Sequence, residues 1–240
     1  MPENFWSKRR IFPSITTIIN SNWKKEIAEV KKIKLKEVCL FLTCVNENER
    51  KELYNLLKET GVEKIPLIHL RNDMRVEELN YLAKNYKTKI FNTHSETGHP
   101  LKYGLGKYKK SIYIENAGIK KTIGNRFIEE EIKNFAGVCL DFSHLENERL
   151  LRPEIYESDI KVIEKYPCGC NHIGAVKKNL FKNQYEPNGC YRSHFFEDLS
   201  EFDYLKKYPA EYFSSILAIE LENTIGEQLK ARDYIINLLT

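Results

Sequence analysis

The sequence lacks any run close to the roughly 18 consecutive apolar residues that span a bilayer as a helix, which disfavours a membrane protein. Its opening residues, MPENFWSKRRIF, carry charge but no apolar stretch, so no signal peptide is expected and secretion is disfavoured too. Neither sign of charge dominates: 38 Lys and Arg stand against 34 Asp and Glu, a net of +4. Spread over 240 residues, that excess suits an anionic ligand without demanding a nucleic acid. Internal repeats, low-complexity tracts and linkers are also missing, so one domain over 1–240 is expected. No glycine-rich phosphate loop comes after the first strand-like run, which argues against an open doubly wound sheet. The six cysteines (39, 44, 139, 168, 170 and 190) are scattered, and in a chain with no expected signal they read as reduced thiols of a cytoplasmic protein.

What is present argues for a packed core. Hydrophobic residues make up 42% of the chain, with 14 Tyr and 12 Phe. Short apolar runs of strand length at 14–19, 37–44, 64–69, 88–94, 111–115, 137–141, 168–175 and 216–222 alternate with stretches of other character. Between them, helical periodicity falls at 22–33, 46–60, 75–86, 125–134, 153–165, 200–207 and 224–238. Asn46 with Glu49, and Thr224 with Glu227, have capping-box spacing at two helix starts. Eight strands alternating with helices predict a single (β/α)8 TIM barrel. The longest stretch without regular period, 176–199, is expected to be a functional or mobile loop.

Polar residues gather where these runs end: His69, His94, Glu115, Asp141 with His144 close behind, His172, and Glu220 with Glu222. His194 comes next, in the long loop, and only His99 falls outside the pattern. In a barrel the C-terminal strand ends converge on one face, so these side chains would surround one cavity. A single strand-end histidine is ordinarily a satisfied core residue. Glu115, Asp141, His172 and Glu220, each on a different strand, form a set that suits a divalent metal: Zn²⁺, Mn²⁺, Co²⁺ or Fe²⁺. Several buried carboxylates placed together repel unless a cation neutralises them.

The segments IENAG, CLDFSH, NHIGA, SHFFEDLSEFDYL and IELEN, in that order from residue 36 onwards, resemble the xylose isomerase-like TIM barrels. That superfamily holds sugar and sugar-phosphate isomerases and epimerases, and also the endonuclease IV type of apurinic endonuclease (AP endonuclease family 2). The resemblance implies that Glu115, Asp141, His172 and Glu220 hold the metal, and that His144 lines the site or binds substrate. For an isomerase it further implies Glu115 and Glu220 as the acid/base pair. For an apurinic endonuclease it implies His69 and His94 as ligands of further zinc ions, and an Asp-x-His pair in the loop after the seventh strand. Here that pair reads Arg192-Ser193-His194, so a basic residue stands where the third zinc would need a carboxylate. Arg192 and His194 are then candidate substrate-binding residues, with the guanidinium suited to a phosphate or carboxylate. Many of the isomerases carry an aspartate just beyond the seventh-strand histidine, whereas this chain reads His172-Ile173-Gly174-Ala175.

The leading expectation is a metal-dependent isomerase or epimerase of a small sugar, sugar phosphate or polyol. The alternatives are a zinc phosphodiesterase acting on nucleic acid, and a barrel that binds metal or sugar without turnover. Glu222 competes with Glu220 as the ligand of the eighth strand. Cys168, Cys170 and His172, with Cys190, either form a thiolate zinc site or simply fill the barrel interior. The basic, tyrosine-rich stretch 101–111 either grips phosphate or is a solvated connection.

Overall fold

The structure is a computed structural model that describes residues 10–18, 21–117, 126–182 and 188–240. The opening segment 1–9, residue 19 of the first expected strand, residue 125 of the fourth expected helix and 183–187 of the expected loop lie outside the described residues. Eight staves surround a central axis. The first is broken at Pro13 into β1 (Arg10–Phe12) and β2 (Ser14–Thr16). The others are β3 (Cys39–Phe41), β4 (Leu67–His69), β5 (Ile90–Thr93), β6 (Ile112–Glu115), β7 (Gly137–Asp141), β8 (Cys168–Ile173) and, last in the chain, β11 (Ile216–Ile219). All pair in parallel in the order β1-β11-β8-β7-β6-β5-β4-β3-β2. Because β1 pairs with β11 and β2 with β3, the two halves of the first stave close the ring.

Around the staves run α1 (Trp23–Ile33), α2 (Glu47–Lys58), α3 (Val76–Tyr86), α4 (Glu129–Ile132), α5 (Phe142–Leu151), α6 (Pro153–Lys165) and α7 (Ile225–Leu239). Both expected capping boxes form: Asn46 with Glu49 opens α2, and Thr224 with Glu227 opens α7. Strand and helix faces meet in an outer core that includes Leu40, Ile68, Ile114, Leu140 and Leu217, with Val30, Leu53, Leu82, Ile163 and Ile235 from the helices. No helix among the described residues is long and apolar enough to cross a membrane.

Inside the staves, alternation with period two stacks two layers. The lower layer is Phe12, Cys39, Phe41, Leu67, Cys139, Cys170 and Ala218, with Tyr113, Ile90 and Ile216 packed against it. Two residues further along the same strands lie His69, Asn92, Glu115, Asp141, His172 and Glu220. An apolar floor therefore sits beneath a polar layer.

Several sequence expectations need correction. The stretch 176–199 is not wholly irregular: β9 (Ala175–Phe181) and β10 (Cys190–Ser193) form an antiparallel hairpin that packs on α5. Helix α5 itself had no counterpart in the periodicity, because Phe142 to Glu148 are buried all round and leave no apolar stripe. Residues 199–207 form a 3₁₀-helix, and α4 keeps only four residues of the stretch expected at 125–134. The basic stretch 101–111 ends in a 3₁₀-helix, Gly106–Ser111, that buries Tyr108 while Lys107, Lys109 and Lys110 stay exposed. Cys168 leaves the inner face. A bulge pairs Val138 with Cys168 but Cys139 with Cys170, so Gly169 is the extra residue and Cys168 packs against the outer core. Tyr113 then lies over Gly169, where any Cβ would fall 2.1 Å from its ring.

Candidate metal centre

One ligand atom from each of Glu115, Asp141, His172 and Glu220 lies within 4.8 Å of the others, and all four residues are buried. The side chains come from β6, β7 and β8 and from the residue just beyond β11. Adjacent staves bring them together: Glu115 sits beside Cys139 in register and Asp141 beside His172. His172 Nδ1 stands 3.4 Å from both Glu115 Oε2 and Glu220 Oε2. Glu222 is absent from this group; it is half-buried and its backbone N–H donates to the His194 carbonyl. Of the two glutamates, Glu220 falls in this group and Glu222 does not. The cysteines form no comparable group among the described residues, and none of them is in a disulfide there.

A second group, His69, His94 and Glu115, also brings its ligand atoms within 4.8 Å, so Glu115 belongs to both. His69 Nδ1 is 3.0 Å from the Leu70 carbonyl, a contact that needs an N–H on that nitrogen. Its Nε2 stands 2.9 Å from Glu115 Oε2. His94 lies just past the end of β5, half-buried, its ring 4.5 Å from that of His69.

Supporting contacts orient this layer. Asn92 Nδ2 donates to Glu115 Oε2 at 3.0 Å. Ser143 Oγ and the His144 backbone N–H both donate to Asp141 Oδ1, at 2.7 and 2.9 Å, with Asp141 acting as N-cap of α5. The Phe41 ring meets His172 edge-on at 4.7 Å from below. Asn92 and Ser143 were not singled out by the sequence. Asn92 was detectable, being two residues before His94 and hence on the same face, whereas Ser143 on α5 gave no signal. His99, left outside the pattern, places its ring 4.9 Å from that of His94.

His144, Arg192 and His194 stand together on one side of this group. His144 Nε2 lies 3.6 Å from Asp141 Oδ2, Arg192 Nη1 is 3.5 Å from His194 Nε2, and His194 Nδ1 is 3.3 Å from the Glu220 carbonyl. Hairpin strand β10 carries Arg192, and His194 comes directly after that strand.

The electrostatics match the crowding. Burial alone would raise Glu115, yet the facing His172 and His69 imidazoles hold its carboxyl well below the usual range. Burial likewise opposes charge on His172, and Glu115 and Glu220 outweigh it, pushing that imidazole well above its ordinary value. Glu220 is lowered against its burial by His194 and His172. Desolvation and the neighbouring His69 bring His94 down to about 3. Burial and the Arg192 charge keep His144 neutral.

Several buried polar atoms here make no hydrogen bond: His69 Nε2, both ring nitrogens of His172, Asp141 Oδ2, Glu220 Oε2 and His144 Nδ1. Carboxylate oxygens and imidazole nitrogens that converge without hydrogen-bond partners fit divalent cations, and nitrogen and oxygen atoms in this mixture suit first-row metals.

No protein-family profile and no curated protein matches the chain's sequence. Solved structures do match its shape. A xylose isomerase-like TIM barrel/4-hydroxyphenylpyruvate dioxygenase fusion protein superposes with a TM-score of 0.50 and 13% identity, over 95% of this chain and 41% of that one. The fold is that of the xylose isomerase-like TIM barrels. An uncharacterised protein from Parabacteroides distasonis also has a TM-score of 0.50, with 14% identity over 96% of this chain and 99% of that one. A xylose isomerase-like TIM barrel protein from Mycobacterium smegmatis, solved in complex with magnesium, has a TM-score of 0.48 and 14% identity, covering 91% and 88% of the two chains. At such identities the likeness speaks for the fold alone.

Proposed function

We propose that this barrel is a divalent-metal-dependent isomerase or epimerase of a small sugar, sugar phosphate or polyol. The observation that carries the reading is the pair of buried carboxylates, Glu115 and Glu220, flanking His172 from different staves at 3.4 Å each. A divalent ion held by Glu115, Asp141, His172 and Glu220 would polarise the carbonyl and hydroxyl oxygens of an adjacent substrate. Glu115 or Glu220, kept ionised by the surrounding imidazoles, takes the proton from the carbon next to the carbonyl. Proton return at the neighbouring carbon completes an isomerisation, and return at the opposite face an epimerisation. Arg192, His144 and His194 orient hydroxyls or an anionic substituent. The apolar floor keeps water from below.

The test is incorporation of solvent deuterium into a panel of aldoses, ketoses and their phosphates, read by mass spectrometry with added Mn²⁺ or Zn²⁺. Incorporation that vanishes in Glu115→Gln and Glu220→Gln is expected. Metal uptake without exchange on any member of the panel would sink the reading and favour a binding barrel without turnover.

A second reading rests on the sharing of Glu115 between the two ligand groups. Two ions bridged by one carboxylate suit hydrolysis of a phosphodiester. Release of nitrophenol from bis(p-nitrophenyl) phosphate, or nicking of abasic DNA, with two zinc ions per chain would favour it.

A further inference from the structure

We propose that Glu131 is a positioning residue that holds the second cation seat, His69–His94–Glu115, in shape by clasping the loop that carries His94. The inference rests on the second reading above, in which this group takes a cation. His69 and Glu115 are fixed within β4 and β6 and are fully buried. His94 differs, lying beyond β5 and half-buried, so its position depends on the loop at 95–99.

That loop is a tight turn. The backbone N–H groups of Gly98 and His99 donate to the Ser95 carbonyl at 3.2 and 2.9 Å, and the Thr97 N–H lies 3.2 Å from Ser95 Oγ. These bonds stay within the turn and do not tie it to the barrel. Glu131 does: its Oε2 accepts from the Glu96 N–H at 2.9 Å, and its Oε1 accepts from both the Thr97 N–H and the Thr97 hydroxyl, at 2.8 and 2.5 Å. Three donors on one carboxylate make a directional grip. Its platform α4 is itself anchored, by buried Ile132 and by Glu129, which pairs with Lys165 and accepts from Tyr166 Oη. The clasp sets His94 and, beyond it, His99. The other seat shares Glu115 but takes its remaining ligands, Asp141, His172 and Glu220, from β7, from β8 and from the end of β11, away from this loop, so the two seats depend on the clasp differently.

Zinc binding by the full chain, read by isothermal titration and by metal content after dialysis, tests this. The wild type is expected to take two ions. Glu131→Ala should keep one at unchanged affinity and bind the other at least about 10-fold more weakly, as for loss of a group that orients a ligand. Glu131→Gln, which retains one carbonyl acceptor, should fall between, and His94→Ala should lose the same ion. If Glu131→Ala does not fold, Glu131→Gln and Thr97→Val decide by the same measurement. Two ions retained at wild-type affinity in the clasp variants would overturn the clasp while leaving the second seat standing. A wild type that takes one ion, indifferent to His94→Ala, would overturn the seat itself and the clasp with it.

Discussion

The floor and the polar layer of this barrel are built on the same strands, two residues apart, and behave as opposites. Leu67 lies below His69, Tyr113 below Glu115, Cys139 below Asp141, Cys170 below His172 and Ala218 below Glu220. Apart from the partly buried Tyr113, the floor is apolar and thiol side chains. The layer above buries atoms that find no donor or acceptor in the protein. A packed interior gains by excluding everything, whereas the upper layer stays costly until something binds. The floor is thus where stability resides, and the layer above is where a ligand is awaited.

The largest expected effect attacks the upper layer. Asp141→Asn should weaken metal binding by more than about 100-fold, a ligand mattering more than its supporting contacts. The metal-free protein should keep its thermal stability, since the asparagine oxygen can still accept from Ser143 Oγ and the His144 N–H at the start of α5. Metal content and a thermal melt read both, and wild-type metal affinity in the variant would refute the contrast. Phe41→Ala attacks the floor and should cost about 3–5 kcal/mol, measured by denaturant unfolding. If the layers are separable, the folded variant still binds metal with wild-type stoichiometry; loss of both ions would show that the Phe41–His172 contact makes them one unit.

Much of this contrast was legible in the sequence, since the strand runs and their polar ends predict both the barrel and the gathering of Glu115, Asp141, His172 and Glu220. Less legible was whatever depends on buried polar side chains finding partners, near or far in the chain. Helix α5 buries Glu146, Asn147 and Glu148 because Arg149, Lys207 and Tyr208 serve the first, the Tyr191 N–H the second and Arg152 the third. A helix that is polar and yet buried shows no periodic stripe. The hairpin that covers it is short and half-exposed, with no sustained alternation to mark it. Cys168 was misplaced because one bulged residue reverses the face of everything before it.

That bulge sharpens the comparison at smaller scale. Gly169→Ala would set a Cβ 2.1 Å from the Tyr113 ring, so the ring must move, at a cost of about 1–3 kcal/mol. Unchanged stability would show that the floor has slack.

The smallest effect lies outside both layers. Asp159 on α6 accepts from the Phe127 N–H, and burial raises its carboxyl from 3.8 to about 7. The protonated form favours folding, so its stabilisation is complete below about pH 4 and is lost as the pH climbs towards 7. Asp159→Asn keeps the acceptor and removes the charge. It should stabilise the protein at pH 8 by on the order of 1 kcal/mol, short of the full shift because buried charges relax. It should also flatten the slope between pH 4 and 7, as read from urea unfolding at several pH values. An unchanged slope would refute the assignment.

The broken first stave has a consequence for how the chain reaches this state. Residues 10–12 find their neighbours at 216–218, so the circle is sealed by the last of the described strands. Until then β1 and β8 expose unpaired N–H and C=O groups at two open edges, each a template for a strand of another molecule. Refolding should therefore slow at the closure step, because pairing 10–12 with 216–218 closes a very long loop. Its yield should fall as protein concentration rises, with intermolecular edge pairing competing against the final strand.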